Sequence, residues 1–146
     1  MKQYLSHLLS LFMLVSCTSK KPEVPPSISG VYTGTAQFVT LFDGQTTTQV
    51  VNGTLTVNSV EATKLSITQT IPDHIVAYEA DLTSDIAFTL VKSIQKIEVN
   101  GVTYEGVLRG NGQFSADKRA LTLNTAIDLV IGGKLASQTM HLNAKL

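Results

Sequence analysis

The chain has 146 residues, and its 11 basic and 11 acidic side chains give a formal net charge of zero at pH 7. This balance offers no basic patch for nucleic acid, and the sequence lacks the His-Glu-x-x-His, Gly-x-Ser-x-Gly and phosphate-loop motifs. We therefore expect no nucleic-acid partner, no cofactor and no enzymatic activity.

The first predicted element in chain order is an apolar segment that ends at the single cysteine. A positive charge at Lys2 precedes the mostly apolar residues 4–15. This length suits the hydrophobic region of a secretory signal, which has ~7–15 residues, and is shorter than the roughly 20 residues of a membrane-spanning helix. The segment closes with Leu14-Val15-Ser16-Cys17, which resembles the lipobox of bacterial lipoproteins.

The lipobox resemblance assigns residues 1–16 to a signal peptide. It implies that lipoprotein signal peptidase recognises Leu14, Val15 and Ser16 and cleaves before Cys17, whose sulfur then carries a diacylglycerol thioether. Two or three acyl chains of the palmitate type hold a protein firmly, because each buried CH₂ contributes ~0.8 kcal/mol. We therefore expect attachment to a membrane through an N-terminal lipid. With Cys17 consumed, no thiol remains for a disulfide or a metal ligand.

Residues 17–29 form the predicted lipidated cysteine and tether. They contain three of the chain's four prolines, Pro22, Pro25 and Pro26. Proline fixes φ and lacks an N–H donor, so this stretch favours an extended polyproline conformation over helix or sheet. The folded domain is then expected to comprise residues 30–146.

From Gly30 onward the side chains alternate between apolar and polar with a period of two, as in half-buried β-strands. The longest example covers residues 121–131, where Thr125 is the only polar member of the apolar face. The pattern predicts about eight to ten strands, at residues 31–41, 46–57, 63–70, 74–82, 85–91, 94–99, 102–115, 120–131 and 134–145.

Dipeptides that favour positive φ separate these runs. We expect tight turns at four of them: Asp43-Gly44, Asn58-Ser59, Asn100-Gly101 and Gly132-Gly133. Two others, Asn52-Gly53 and Asn111-Gly112, lie inside runs whose alternation continues across them. A bulge or bend is expected at both.

The predicted strands favour one antiparallel meander. Short connections pair consecutive strands, and no crossover helix is predicted. Such a meander hides its edges either by closing or by folding into two packed sheets. Glycines on the inward face of residues 102–114 would let that strand coil sharply, as barrels require. We predict an all-β, closed up-and-down barrel, with a two-sheet sandwich as the alternative.

Two segments carry a resemblance at the level of a family. The start Gly30-Val31-Tyr32-Thr33-Gly34-Thr35 and the run from Tyr104 to Phe114 look like parts of the small calycin-like lipoproteins of Bacteroidota. These are lipocalin-like β-barrels, and the resemblance covers nearly the whole mature chain. The Gly-x-Trp signature of classical lipocalins is absent, since the chain has no tryptophan.

The same resemblance implies a location in the cell envelope. Thr18 replaces the aspartate that retains lipoproteins of the enteric type in the inner membrane, so the outer membrane is expected. Ser19-Lys20-Lys21 is not the acidic sequence that accompanies surface display. The resemblance therefore favours the periplasmic face.

Aromatic residues on the predicted inward faces are the candidate ligand-binding residues: Tyr32, Phe38, Tyr78, Phe88, Tyr104 and Phe114. In an incompletely filled barrel they would line a pocket for a small apolar ligand. In a filled barrel they would form the core.

Polar candidates are few. His74 follows a turn and His141 lies on an outward face, and neither has the further ligands that a zinc site needs. Glu79, Asp81 and Asp85 could collect a hard cation or perform acid–base chemistry, and a solvated strand face explains them equally well. We assign no metal site.

Three functions remain open from the sequence. The first is a non-enzymatic, lipid-anchored module that binds a small apolar ligand in a barrel. The second is a protein- or glycan-interaction module that uses its outer strands, such as residues 46–48 and 54–56. The third is a weak hydrolase that uses Glu79, Asp81 and Asp85.

Overall fold

The computed structural model describes residues 27–99 and 101–146. The predicted signal peptide, Cys17, the tether up to residue 26 and Asn100 lie outside the described residues. Nothing helical in the described part is both long and apolar enough to traverse a bilayer. The strands are β1 (Gly30–Phe42), β2 (Gln45–Glu61), β3 (Lys64–Ile71), β4 (His74–Leu82), β5 (Ala87–Leu90), β6 (Ser93–Val99), β7 (Val102–Phe114), β8 (Ala120–Ile131) and β9 (Lys134–Lys145).

These strands form one antiparallel sheet that closes on itself. Its order is β5-β4-β3-β2-β1-β9-β8-β7-β6, and β5 also pairs with β7. Eight strands therefore close the barrel, and β6 is an extra strand that continues along the edge of β7 beyond β5. The predicted closed barrel is confirmed, and the sandwich alternative is wrong because β1 pairs with β9 from Thr33 to Phe42.

Two of the turns predicted from the sequence, Asp43-Gly44 and Gly132-Gly133, are confirmed, and both residues of each have positive φ. Asp43 and Gly44 have φ values of 51° and 75°, and Gly132 and Gly133 have values of 57° and 80°. These values suit the two-residue hairpins whose twist matches that of the flanking strands.

The turn predicted at Asn58-Ser59 is wrong. Both residues belong to β2, where Asn58 pairs with Ser66 and Ser59 pairs with Leu65. The register shifts between Ser59 and Glu61, as in a β-bulge. The hairpin instead turns at Ala62 and Thr63, beside an ion pair between Lys64 and Glu61 (3.9 Å). Cross-strand pairing in this hairpin outweighs the local turn preference of asparagine.

A bulge or bend was expected at Asn52-Gly53 and Asn111-Gly112, and no bulge is present at either. Gly53 pairs with Gly34, and Gly112 pairs with Leu123, in an unbroken register. Gly112 is small for a different reason: a Cβ there would overlap the ring of Phe88, its paired residue on the neighbouring strand β5. The glycine makes room for a core side chain inside a regular strand.

One end of the barrel, which we call the base, is densely packed. It contains the start of β1 and the β2–β3, β4–β5 and β7–β8 connections. The Phe114 ring lies 5.8 Å from the Tyr32 ring and 5.4 Å from the Phe88 ring, both in tilted contacts. Aliphatic side chains that are almost completely buried surround them: Leu55, Val57, Leu65, Ile67, Leu121, Leu123 and Leu142. The opposite end, which we call the mouth, contains the β1–β2, β3–β4, β6–β7 and β8–β9 turns.

Candidate functional site

A polar contact crosses the lumen above the packed base. Gln69 of β3 is only 2% exposed, although its neighbours in the core are apolar. Its Oε1 accepts a hydrogen bond from the Tyr78 hydroxyl at 2.5 Å, and its Nε2 lies 3.0 Å from the sulfur of Met140. β3 and β9 are three strands apart in the sheet, so this contact spans the barrel. We call Gln69, Tyr78 and Met140 the floor.

Alternation places Gln69 and Tyr78 inside. In β3, Leu65, Ile67 and Gln69 are all buried while their neighbours in sequence are more exposed. In β4, Tyr78 and Ala80 are likewise buried while their neighbours in sequence are more exposed. Burial raises the pKa of the Tyr78 hydroxyl, because the apolar surroundings disfavour the phenolate. Within the floor, Gln69 and Tyr78 thus form a neutral hydrogen-bonded pair in poorly hydrated surroundings.

The lumen between the floor and the mouth is open. A cavity of about 60 Å³ touches the floor, a second of about 290 Å³ lies beyond it, and a third of about 760 Å³ opens at the mouth. Phe38 and Gln138 line all three. Because neighbouring cavities share these residues, we treat them as one site and call it the cup.

The lining of the cup changes with depth. Next to the floor, an apolar belt formed by Phe38, Ile71, Val76, Leu108 and Ile127 shares the lining with the polar side chains of His74, Gln95, Lys96, Thr125 and Gln138. Toward the mouth the lining becomes polar, with Gln49, Thr40 and the exposed Thr46 to Thr48. Gln138 is fixed between the two zones by a hydrogen bond from its Nε2 to Thr40 Oγ1 (3.1 Å). A ligand that fills the cup would meet apolar surface in the middle and hydrogen-bonding groups at each end.

The wall of the cup has a gap between β4 and β6. β4 pairs with β5 only over Ala80–Leu82, and β6 pairs only with β7. Residues 74–78 of β4 therefore have a strand neighbour on one side alone. Side chains from both rims of the gap, including His74 and Lys96, line the inner part of the cup. The cup consequently has a lateral opening as well as its mouth.

The six aromatic candidates divide between the two halves of the barrel. Phe38 and Tyr78 line the cup. Tyr32, Phe88 and Phe114 lie in the base, where they are at most 1% exposed and where Phe114 contacts the other two. Tyr104 is half-buried opposite Ile97 and packs against the core. The alternating pattern of the sequence places all six on inward faces of their strands. It does not specify how far along the barrel axis each of them lies.

The glutamines of the cup were missed in the sequence. Gln49, Gln69, Gln95 and Gln138 all share parity with inward-facing apolar residues of their own strands. A glutamine at an inward position must find hydrogen-bond partners or water. That pattern was visible in the sequence and could have indicated a polar lumen.

Among the other polar candidates, His74 lines the rim of the cup and the rest lie outside it. His74 is exposed at the start of β4, and Glu79 and Asp81 are exposed on the outer face of that strand. Across residues 27–99 and 101–146, no group of three or more His, Cys, Asp or Glu side chains is arranged to hold a metal ion. His141 is on the outer face, where Asn124 Oδ1 lies 2.6 Å from its Nδ1.

That contact belongs to a polar ladder on the outer face of β7, β8 and β9. Asn124 Nδ2 donates to Asn111 Oδ1 (3.4 Å), and Asn143 Nδ2 lies 2.9 Å from His141 Nε2. A shallow groove of about 600 Å³ runs beside this ladder, and Arg109, which is paired with Asp128, lines it. The outer face thus offers an ordered row of hydrogen-bonding groups.

Comparisons with known proteins add similarity at the level of fold. No protein-family model matches the chain, and no curated protein matches it. One similar structure is a protein of unknown function from the DUF3598 family of Nostoc punctiforme, with 14% identity and a TM-score of 0.45, covering 88% of this chain and 53% of that chain. Another is isotype 1 transferrin binding protein B from serogroup B Neisseria meningitidis, with 12% identity and a TM-score of 0.45, covering 83% of this chain and 26% of that chain. This chain spans about half the length of the first and about a quarter of the second.

Proposed function

We propose that this protein is a lipid-anchored, non-enzymatic module of the cell envelope that holds a small, partly apolar ligand in the cup. The observation that carries the proposal is the division of the lumen into a packed base and an open cup, separated by the floor. Ligand sites in proteins are concave, about 300–1,000 Å³ in size, and combine apolar walls with a few polar groups. The cup has these properties.

The first described residues and the cup lie at opposite ends of the barrel. The first described residues are tied to the base, since Ser29 Oγ accepts from the Ser59 N–H (3.1 Å) and the Tyr32 hydroxyl donates to the Ile28 carbonyl (3.0 Å). A lipid on Cys17 would therefore hold the base toward the membrane, with the mouth facing away. We expect the ligand to enter from the aqueous side of the outer membrane, in the periplasm. The likeness of the sequence to calycin-like lipoproteins of Bacteroidota agrees with this role.

Mass spectrometry of the full chain, purified from its native membrane, tests the cup. Under native conditions we expect an added mass that denaturation removes, whereas a lipid on Cys17 persists through denaturation. Gln138→Trp should abolish the removable mass, because residue 138 lines all three cavities and an indole there would fill part of the cup. Thr139→Trp is the matched control, since its side chain is exposed on the same strand. Absence of a removable mass, or its survival in Gln138→Trp, would contradict the proposal.

The anchor has its own test. Cys17→Ser should eliminate the covalent lipid mass and move the protein from the membrane pellet to the soluble envelope fraction, because no acyl chain would remain to partition into the bilayer. Ser19→Ala, two residues away, should leave both unchanged. A Cys17→Ser protein that still sediments with membranes would show that another element attaches it.

A second candidate function is a protein- or glycan-interaction module that uses the polar ladder on the outer face. The observation that favours it is the ordered row from Asn111 through Asn124 to His141 beside the groove. A chain that carries no removable small molecule, but loses an envelope partner in Asn124→Ala, would support this candidate instead.

A further inference from the structure

The floor has hydrogen-bonding capacity that the protein itself leaves unused. The Gln69 amide nitrogen carries two hydrogens, and its one partner is the Met140 sulfur, which is a weak acceptor. The Tyr78 hydroxyl donates to Gln69, and its oxygen can still accept. Every buried side-chain nitrogen and oxygen of the described residues has a hydrogen-bond partner, so a strong acceptor for the second Gln69 hydrogen and a donor to the Tyr78 oxygen would add to the bonds of the floor.

Both residues line the cup. Gln69 and Tyr78 line the same cavity of about 60 Å³, together with the apolar belt. Buried polar groups without good partners cost free energy, and a ligand group that satisfies them gains it back. The floor is thus the part of the cup where the chemistry of a ligand matters most.

The surroundings of the floor do not favour a charge. The ionisable groups that line the inner cavity are His74 and Lys96, and both are exposed at the lateral opening. In β6, Lys96 alternates with the half-buried Gln95 and the buried Ile97, so it occupies an outward position. The raised pKa of Tyr78 reflects the same lack of hydration. An ionised group at the floor would lose its water without gaining a buried counter-charge.

We infer that the ligand carries an uncharged group with both a donor and an acceptor, a hydroxyl or a primary carboxamide, at the end of an apolar chain, and that this group is seated between Gln69 and Tyr78. Its oxygen accepts from Gln69 Nε2, and its O–H or N–H donates to the Tyr78 oxygen. The apolar chain then lies against Phe38, Ile71 and Ile127. This inference rests on the proposed function, which places a ligand in the cup without specifying its polar group.

Four probes that share one chain length test the inference: octan-1-ol, octanamide, octanoate and octylammonium, titrated into the purified full chain at pH 7. We expect octan-1-ol and octanamide to bind about tenfold more tightly than the two ions, which corresponds to roughly 1.4 kcal/mol. Tyr78→Phe and Gln69→Met should each reduce this preference to within about twofold. Tyr32→Phe is the matched control, because its hydroxyl lies in the base, and it should keep the preference.

The outcomes separate this inference from the proposed function. Three results would overturn the inference without contradicting the proposed function. They are equal affinities for the four probes, tighter binding of octanoate, and a preference that survives in both Tyr78→Phe and Gln69→Met. Failure of all four probes would also overturn the inference. If, in addition, the native chain carries no removable mass, the proposed function fails with it. Thermal unfolding of each variant establishes that a lost preference belongs to a folded protein.

Discussion

Replacing Phe114 with alanine is expected to lower the free energy of unfolding by about 3–5 kcal/mol. Phe114 is 1% exposed and contacts both Tyr32 and Phe88, so truncation removes the central ring of the base and leaves a cavity. Leu121 and Leu123 belong to a strand that is paired with β7, so they cannot move in to fill that space. The measurement is the denaturant midpoint of the full chain and of the variant, with the slope used to check two-state behaviour.

The control is Phe38→Ala, a truncation of the same chemistry at the cup. Phe38 is half-buried and already borders open space, so its loss should cost clearly less than that of Phe114. Phe38→Ala should instead weaken the binding of the proposed ligand. Equal destabilisation by the two variants, or loss of ligand in Phe114→Ala molecules that remain folded, would mean that the base is not a core distinct from the cup.

The contrast between these two phenylalanines shows where sequence reasoning succeeded. Period-two alternation places both on inward faces, and the structure has them there. The same alternation, with the short turns, predicted the antiparallel order and the closed barrel. These features depend mainly on neighbours in sequence, since consecutive strands pair, except β5 and β6, which both pair with β7, and the hydrophobic pattern fixes which face is buried.

The features that could not be predicted from the sequence are contacts between groups that meet across the lumen. Gln69 and Met140 are 71 positions apart, and their contact requires the closure of the barrel and its exact stagger. The height at which packing stops and the cup begins follows from that stagger. The misplaced turn at Asn58-Ser59 has a related cause, because pairing with β3 carried the strand past a favourable local turn sequence.

The seam between β1 and β9 gives the second large expected effect, in Gly34→Ala. Gly34 pairs with Gly53 on one side and with Ala144 on the other. A Cβ at Gly34 would overlap the backbone carbonyl oxygen of Asn143 and lie 2.6 Å from the Cα of Ala144. Backbone atoms cannot move aside by changing rotamer, so the pairing that closes the barrel has to separate. We expect a loss of about 3 kcal/mol or more in the free energy of unfolding.

Gly112→Ala is the matched comparison, because the obstacle there is a side chain. The three atoms nearest to a Cβ at Gly112 all belong to the ring of Phe88, so Gly112→Ala alone should be destabilising, by about 1–3 kcal/mol. Combined with Phe88→Leu, it should cost less than the sum of the two single changes, since the smaller side chain vacates the space that the Cβ takes. Denaturant unfolding of the three variants measures this coupling.

No second substitution can relieve Gly34→Ala in the same way, because its obstacle is the backbone itself. If the Gly34→Ala protein has a free energy of unfolding within about 0.5 kcal/mol of the native protein, the β1–β9 seam is not packed as closely as these contacts require.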